Sequence, residues 1–334
     1  MAESNRIRQI DIVKGIAIVL VVIGHSIPDA MAVGGIVNPY VRLLHSIIYS
    51  FHMPLFFIIS GYFLNTDHVK GRTGQLIWKK FNRLMVPYFF VGLVYAPFKL
   101  LLSKFANDPL KVGDIWKILM GKNPDGELWF LYSLFIISLV IYILRLKVNI
   151  SMLMVSFFVA LISYWEPVLP AGILFFQFFV VLGMYVRQNH PKWIRNISGR
   201  IVTCSLIAFI ILNFFFYKGV HFPIKLFSGV FGSILSIYVA QFLGEIRESR
   251  VIYMIELAGK YCMEIYLLSD IIKVPIRILL WSKLHLYYTT LLCCTLISTI
   301  VPVLVKRYIT RNWVVVNWLL FGDKSGYKNI SGNS

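Results

Sequence analysis

The chain has 334 residues, of which 58% are hydrophobic and only 14% charged, with a formal net charge of +18 and a mean hydropathy of +0.74. A soluble domain carries roughly 25% charged residues, so this composition excludes an ordinary cytosolic enzyme, a disordered chain and a disulfide-stapled secreted scaffold. It leaves an all-α, polytopic integral membrane bundle.

Ten apolar stretches are predicted to span the bilayer, near 11–28, 45–64, 84–103, 127–145, 150–165, 170–187, 200–217, 226–244, 261–281 and 287–309. The first has features of a leader, since Ala30-Met31-Ala32 resembles a cleavage site. Asp11 and Lys14 interrupt its start, and His25 and Pro28 precede the supposed cut, so it reads as a retained span. Lys14 and His25 are eleven residues apart. On a helix that is three turns plus about 20°, which puts them on one face roughly 16 Å apart. Ionisable groups at this depth are costly and mark function by default. The structural alternative has Lys14 snorkelling or pairing with Asp11, and His25 bonding to a neighbouring helix.

The second stretch carries His45, His52, Pro54 and Gly61. His52 is predicted at a depth like that of His25, either as an interhelical hydrogen-bond partner or as part of a site. Lys70, Arg72, Lys79, Lys80 and Arg83 follow. They read as a topology signal or as a phosphate site, for which Arg supplies a fork and Lys a point charge. Segment 109–120 has apolar residues at helical spacing and suits the membrane interface or a cavity mouth. Glu127 opens the fourth stretch, where it either caps the helix or orients an imidazole. Trp129 beside it is an interfacial anchor or a sugar contact.

The ninth stretch holds Glu264, Asp270, Lys273 and Arg277. Asp270 and Lys273, at i and i+3, can pair, and Arg277 lies further along, suited to a polar cavity. Cys204, Cys262, Cys293 and Cys294 lie in apolar stretches with no metal-ligand spacing. Residues 323–334 read as a disordered tail. With the N-terminus placed inside, 21 Lys and Arg fall in cytoplasmic segments and 8 in outer ones. Both termini are therefore expected in the cytoplasm, and the basic balance needs no nucleic acid to explain it.

RIRQIDIVKGIAIVLVVIGHS at 6–26 and FHMPLFFIISGYF at 51–63 resemble membrane acyltransferase family 3, in its branch of polysaccharide O-acetyltransferases related to fucose 4-O-acetylase. Lys14 and His25 match that family's basic residue and histidine, separated by ten residues. Lys70 and Arg72 match its basic pair, LWFLYSLF at 128–135 its WFL motif, and MEIYLLSD at 263–270 a late motif that often ends in His, where Ser269 stands. The resemblance implies a transmembrane acyltransferase domain over 1–322 in a bacterial plasma membrane. It implies transfer of an acyl group, usually acetyl, from cytosolic acyl-CoA to a hydroxyl of a surface polysaccharide or lipid-linked glycan. Acetyl-CoA would be a co-substrate, with no permanently bound cofactor and no metal. His25 is then the expected base or transient acyl carrier, with His52 and Glu127 assisting. Lys14, Lys70 and Arg72 would bind the donor, and Trp129 and Arg277 the acceptor. A homo-oligomer is compatible with the sequence. A transporter or flippase, and a non-catalytic module of glycan machinery, are the other readings.

Overall fold

The computed structural model describes residues 8–30, 35–64, 73–101, 110–165, 172–191, 196–219, 223–246, 249–310 and 313–323, and no strand occurs among them. Its helices are α1 (Arg8–Ser26), α2 (Pro39–Tyr62), α3 (Thr73–Leu101), α4 (Gly126–Ile143), α5 (Ile150–Trp165), α6 (Ile173–Asn189), α7 (Gly199–Tyr217), α8 (Ile224–Glu245), α9 (Arg250–Lys260), α10 (Cys262–Arg277), α11 (Tyr287–Ile309) and α12 (Val314–Phe321). Seven of them, α1 to α4, α7, α8 and α11, are long and apolar enough to cross a membrane. The apolar helices α5 and α6 are shorter, and α10 carries the four charges noted in the ninth stretch.

Among the described residues each of the ten expected stretches is largely helical, with three differences from the sequence reading, the first being that the second stretch begins earlier, at Pro39. The third begins at Thr73, upstream of the expected 84, because the amphipathic turn Thr73–Lys80 continues through a π-helical turn at Phe81–Met85. A separate helix, α9, precedes α10, and Ser249 caps it by accepting a hydrogen bond from Ile252 N.

The centre of the bundle is α1, which packs against α9, α8, α11, α2 and α10. Glycines permit the closest crossings. A Cβ on Gly15 would strike the Ile255 carbonyl of α9, and one on Gly259 would strike the Asp11 carbonyl of α1. Gly61 and Gly183 make the same reciprocal arrangement between α2 and α6, against Val180 and Ile58. Without water to drive apolar association, close backbone approach of this kind supplies much of the packing between membrane helices. Side-chain hydrogen bonds add to it: Asn213 Nδ2 of α7 donates to Ser228 Oγ of α8 (3.0 Å), which donates to Ser50 Oγ of α2 (2.9 Å). By contrast α7 is 11% buried over its span while α1 is 61% buried, so α7 presents most of its surface to lipid.

One end of the bundle is basic. There Glu256 of α9 accepts from Arg8 Nε at 3.0 Å and from Lys260 Nζ at 2.8 Å. Burial alone would raise the Glu256 carboxyl, but these hydrogen bonds outweigh it and hold the group below the ordinary glutamate range. At the same end buried Lys306 of α11 donates to Asn317 Oδ1 of α12 and lies 3.5 Å from Glu264 Oε1 and 3.4 Å from Asp323 Oδ2. Asp323, assigned by sequence to the tail, is thus a tertiary contact. Residues 324–334 lie outside the described residues.

Candidate active site

The site forms at the end of the bundle opposite the basic one, and the loop leading into α4 sets it up. The 3₁₀ turn Val112–Met120 ends at Gly121, whose φ of 83° is left-handed and easiest for glycine. Asn123 then donates from Nδ2 to the Tyr88 carbonyl of α3 (2.9 Å) and accepts from Asp125 N (3.0 Å). Asp125 caps α4 by accepting from Glu127 N at 2.9 Å. This geometry turns Glu127 inward, leaving it 8% exposed.

Glu127 Oε1 stands 3.2 Å from His25 Nδ1 of α1. The same oxygen accepts from Lys273 Nζ of α10, and Tyr266 Oη of α10 donates to the Glu127 carbonyl. Lys273 also lies 3.7 Å from Asp270 Oδ1, whose Oδ2 accepts from Tyr95 Oη of α3 at 2.6 Å. Four helices therefore converge through α1, α3, α4 and α10. Lys273 is 2% exposed. A charge so deeply buried is tolerated when it is paired and hydrogen-bonded, and these two carboxylates provide that.

The pairing fixes the chemistry available to His25. In the tautomer that carries its hydrogen on Nδ1, His25 faces that hydrogen toward the Glu127 carboxyl and presents a lone pair on Nε2. The His25 side chain is 30% exposed, so it is accessible while its partner is buried. Tyr49 of α2 places its hydroxyl 3.4 Å from His25 Nδ1, and its ring lies 5.6 Å from the imidazole. His45 stacks on Tyr49 at 3.9 Å, and His52 meets it edge-on at 4.9 Å. His52 is buried, and its Nδ1 donates to the Ile48 carbonyl at 2.7 Å. Its described route to His25 runs through Tyr49.

The remaining expected residues are dispersed. Trp129 is half-buried, with its ring 5.0 Å from Phe176 and 6.1 Å from Phe57. Half-buried Arg277 is close enough to Asp270 for their charges to interact. Lys14 places its ammonium 5.0 Å from the Phe63 ring centroid. Lys70 and Arg72 lie outside the described residues.

Lys14 also lines a cavity of about 820 Å³ toward the basic end of the bundle. Lys80, Arg83 and Lys260 line it with Met53, Phe56, Leu131, Leu134 and Met263, and Phe130 and Tyr266 are its lining residues furthest along their helices toward the His25 cluster. Its volume falls within the roughly 300–1,000 Å³ of small-molecule sites. Sequence reasoning placed Lys80 and Arg83 in a basic run that marks topology or binds phosphate, and treated Asp270 and Lys273 only as a local pair. It missed Tyr266, Tyr95 and Tyr49. The usable signal was the spacing of Tyr266, Asp270 and Lys273, at i, i+4 and i+7 on one face of α10.

Comparison with known proteins adds a family. The model described as "Acyltransferase domain" matches residues 7–307. The nodulation protein NolL of Mesorhizobium japonicum is 28% identical over 157 residues, covering 46% of this chain and 40% of that protein. The NolL of Sinorhizobium fredii is 33% identical over 87 residues, covering 26% of this chain and 24% of the relative. The chain thus aligns with less than half the length of each of these curated relatives. No solved structure matches significantly.

Proposed function

The chain belongs to the acyltransferase family, and from that premise we propose that it transfers an acyl group, acetyl by default, from cytosolic acyl-CoA to a hydroxyl of a surface polysaccharide or lipid-linked glycan. The observation that carries this reading is the pairing of half-buried His25 with buried Glu127 at 3.2 Å, near the inner end of a cavity lined by Lys14, Lys80, Arg83 and Lys260. In this reading the basic end faces the cytoplasm of a bacterium. Phosphates of the CoA head bind Lys14, Lys80, Arg83 and Lys260, joined by Lys70 and Arg72. The pantetheine arm then carries the thioester inward between the apolar walls. Trp129 and Arg277 are acceptor contacts from the other side.

A sugar hydroxyl is a poor nucleophile at neutral pH, and an imidazole is suited to take its proton. His25 Nε2 accepts that proton as the oxygen attacks the thioester carbonyl carbon. The new C–O bond forms, the C–S bond breaks, and the imidazolium returns its proton to the departing thiolate. The products are the ester and free CoA. Glu127 stabilises the transient imidazolium, and Lys273 keeps the buried carboxylate compensated. Asp270 and Tyr95 hold Lys273 in place.

Mass spectrometry of surface polysaccharide from cells with and without the protein, after feeding isotopically labelled acetate, tests the reading. Label should appear as a glycan O-acyl ester in the presence of the wild-type protein and be lost with His25→Ala. Equal ester content in all three samples would contradict it. Family membership favours acyl transfer over the transporter reading, which would move its cargo without forming an ester.

A further inference from the structure

The cavity stops one helical turn short of His25's partner. Phe130, which lines it, is three residues beyond Glu127 on α4, about 4.5 Å of axial rise. Tyr266 belongs to both places: its ring lines the cavity and its hydroxyl donates to the Glu127 carbonyl. The two rings meet edge-on with centroids 5.8 Å apart, and Phe56 backs Phe130 at 5.8 Å. Phe57 supports Phe130 from a second direction, edge-on at 4.8 Å. Phe130 is 9% exposed and Tyr266 is 7% exposed. The end of the cavity nearest Glu127 is therefore lined by the interlocked rings of Phe130 and Tyr266, with Phe130 backed by Phe56 and Phe57 of α2.

We propose that Phe130 and Tyr266 set the length of the transferred acyl group, limiting the donor to acyl-CoAs of two or three carbons. The inference rests on the acyl-transfer reading and deepens it. CoA carries its phosphates at one end and its thioester at the other. Cations toward the basic end of the cavity hold the phosphates there, so the acyl carbons arrive at the Phe130 and Tyr266 rings. An acetyl methyl fits against the ring edges, whereas each further methylene needs volume that the rings occupy. The acyl carbonyl has to pass these rings to reach His25, so each further methylene has to displace more of them, and overpacking of this kind is costly.

The test measures kcat/KM for acetyl-, butyryl- and octanoyl-CoA in purified wild type, Phe130→Ala, Phe130→Leu and Tyr266→Phe, with a fixed glycan acceptor. Wild type should favour acetyl over butyryl by about tenfold or more, since one or two methylenes are worth that much in a shaped apolar pocket. Phe130→Ala should shift the butyryl-to-acetyl ratio upward by about tenfold, and Phe130→Leu should shift it less. Phe130→Leu also provides a milder variant if the alanine protein does not fold. Tyr266→Phe keeps the ring, so it should keep the ratio while lowering the rate for every donor. Wild-type transfer with the same ratio in both Phe130 variants overturns the inference alone. A wild-type protein that transfers no acyl group from any of the three donors overturns the acyl-transfer reading and the inference with it.

Discussion

His25 Nδ1 and Glu127 Oε1 stand 3.2 Å apart, joining the end of the most central helix to the first turn of α4. Neither residue is held by this contact alone. Glu127 is placed by the Asp125 cap and by the Tyr266 hydroxyl on its carbonyl, while His25 rides on α1. The pair is preorganised, which is what a base and its orienting carboxylate require.

Glu127→Gln tests the charge in this pair separately from its shape. The amide can still accept from Nδ1, but it cannot stabilise an imidazolium. We expect kcat to fall by at least tenfold with little change in KM for the acyl donor. Steady-state kinetics with labelled acetyl-CoA would show this, and an unaltered kcat would remove Glu127 from the chemistry.

Lys273 compensates the carboxylates of buried Glu127 and half-buried Asp270, so losing it should show as instability before any kinetic effect. Removing one partner of a buried pair typically costs about 3–5 kcal/mol. Lys273→Met should lower the melting temperature of the detergent-solubilised protein. Adding Glu127→Gln to that variant should recover part of the loss, because one uncompensated charge is gone. Additive losses in the double variant would argue against coupling.

The basic lining of the cavity predicts a donor effect without a chemical one. Neutralising Lys80 and Arg83 together should raise KM for acyl-CoA and leave kcat near wild type. The wild-type KM should itself rise with salt as phosphate contacts are screened. Arg83 also donates to the Phe321 carbonyl at 3.0 Å, so a melting curve must accompany the kinetics. The same measurement on Lys70→Gln with Arg72→Gln asks whether that pair joins the donor site.

Glu256 gives the basic end a pH dependence. Its folded-state carboxyl is held low by Lys260 and Arg8 against the opposing effect of burial. Its stabilising contribution is therefore complete above the unfolded glutamate value of about 4.3. It is lost as pH falls through the lower folded value. Melting temperatures between pH 7 and pH 3 should drop less steeply in Glu256→Gln than in wild type. Parallel curves would show that the contact to α1 adds no pH-linked stability.

Much of the architecture was legible because membrane helices announce themselves by length and composition. The shared face of Lys14 and His25 followed from helical spacing alone, and Glu127 was identified as a candidate orienting group for an imidazole. Spacing could not show that Glu127 belongs to His25 and Lys273 together, because that depends on how α1, α4 and α10 pack. Asp270 and Lys273 looked self-sufficient at i and i+3, yet the lysine's closer partner is Glu127. The donor cavity was illegible for the same reason: Lys80, Arg83 and Lys260 converge only after α3 and α9 fold beside α1. Helix α9 was missed because its apolar face is short and its charges resemble a loop.

We propose that His25 is the base of the acyl transfer, and the initial rate of labelled acetyl transfer to glycan by purified His25→Ala protein against wild type tests this. General acid–base assistance is typically worth 10²–10⁴-fold, so the account expects a loss of about that size in a variant that melts like wild type. His25→Asn, which keeps some hydrogen bonding but no useful basicity, should be similarly inactive. A folded His25→Ala protein that transfers acetyl at the wild-type rate would contradict the account.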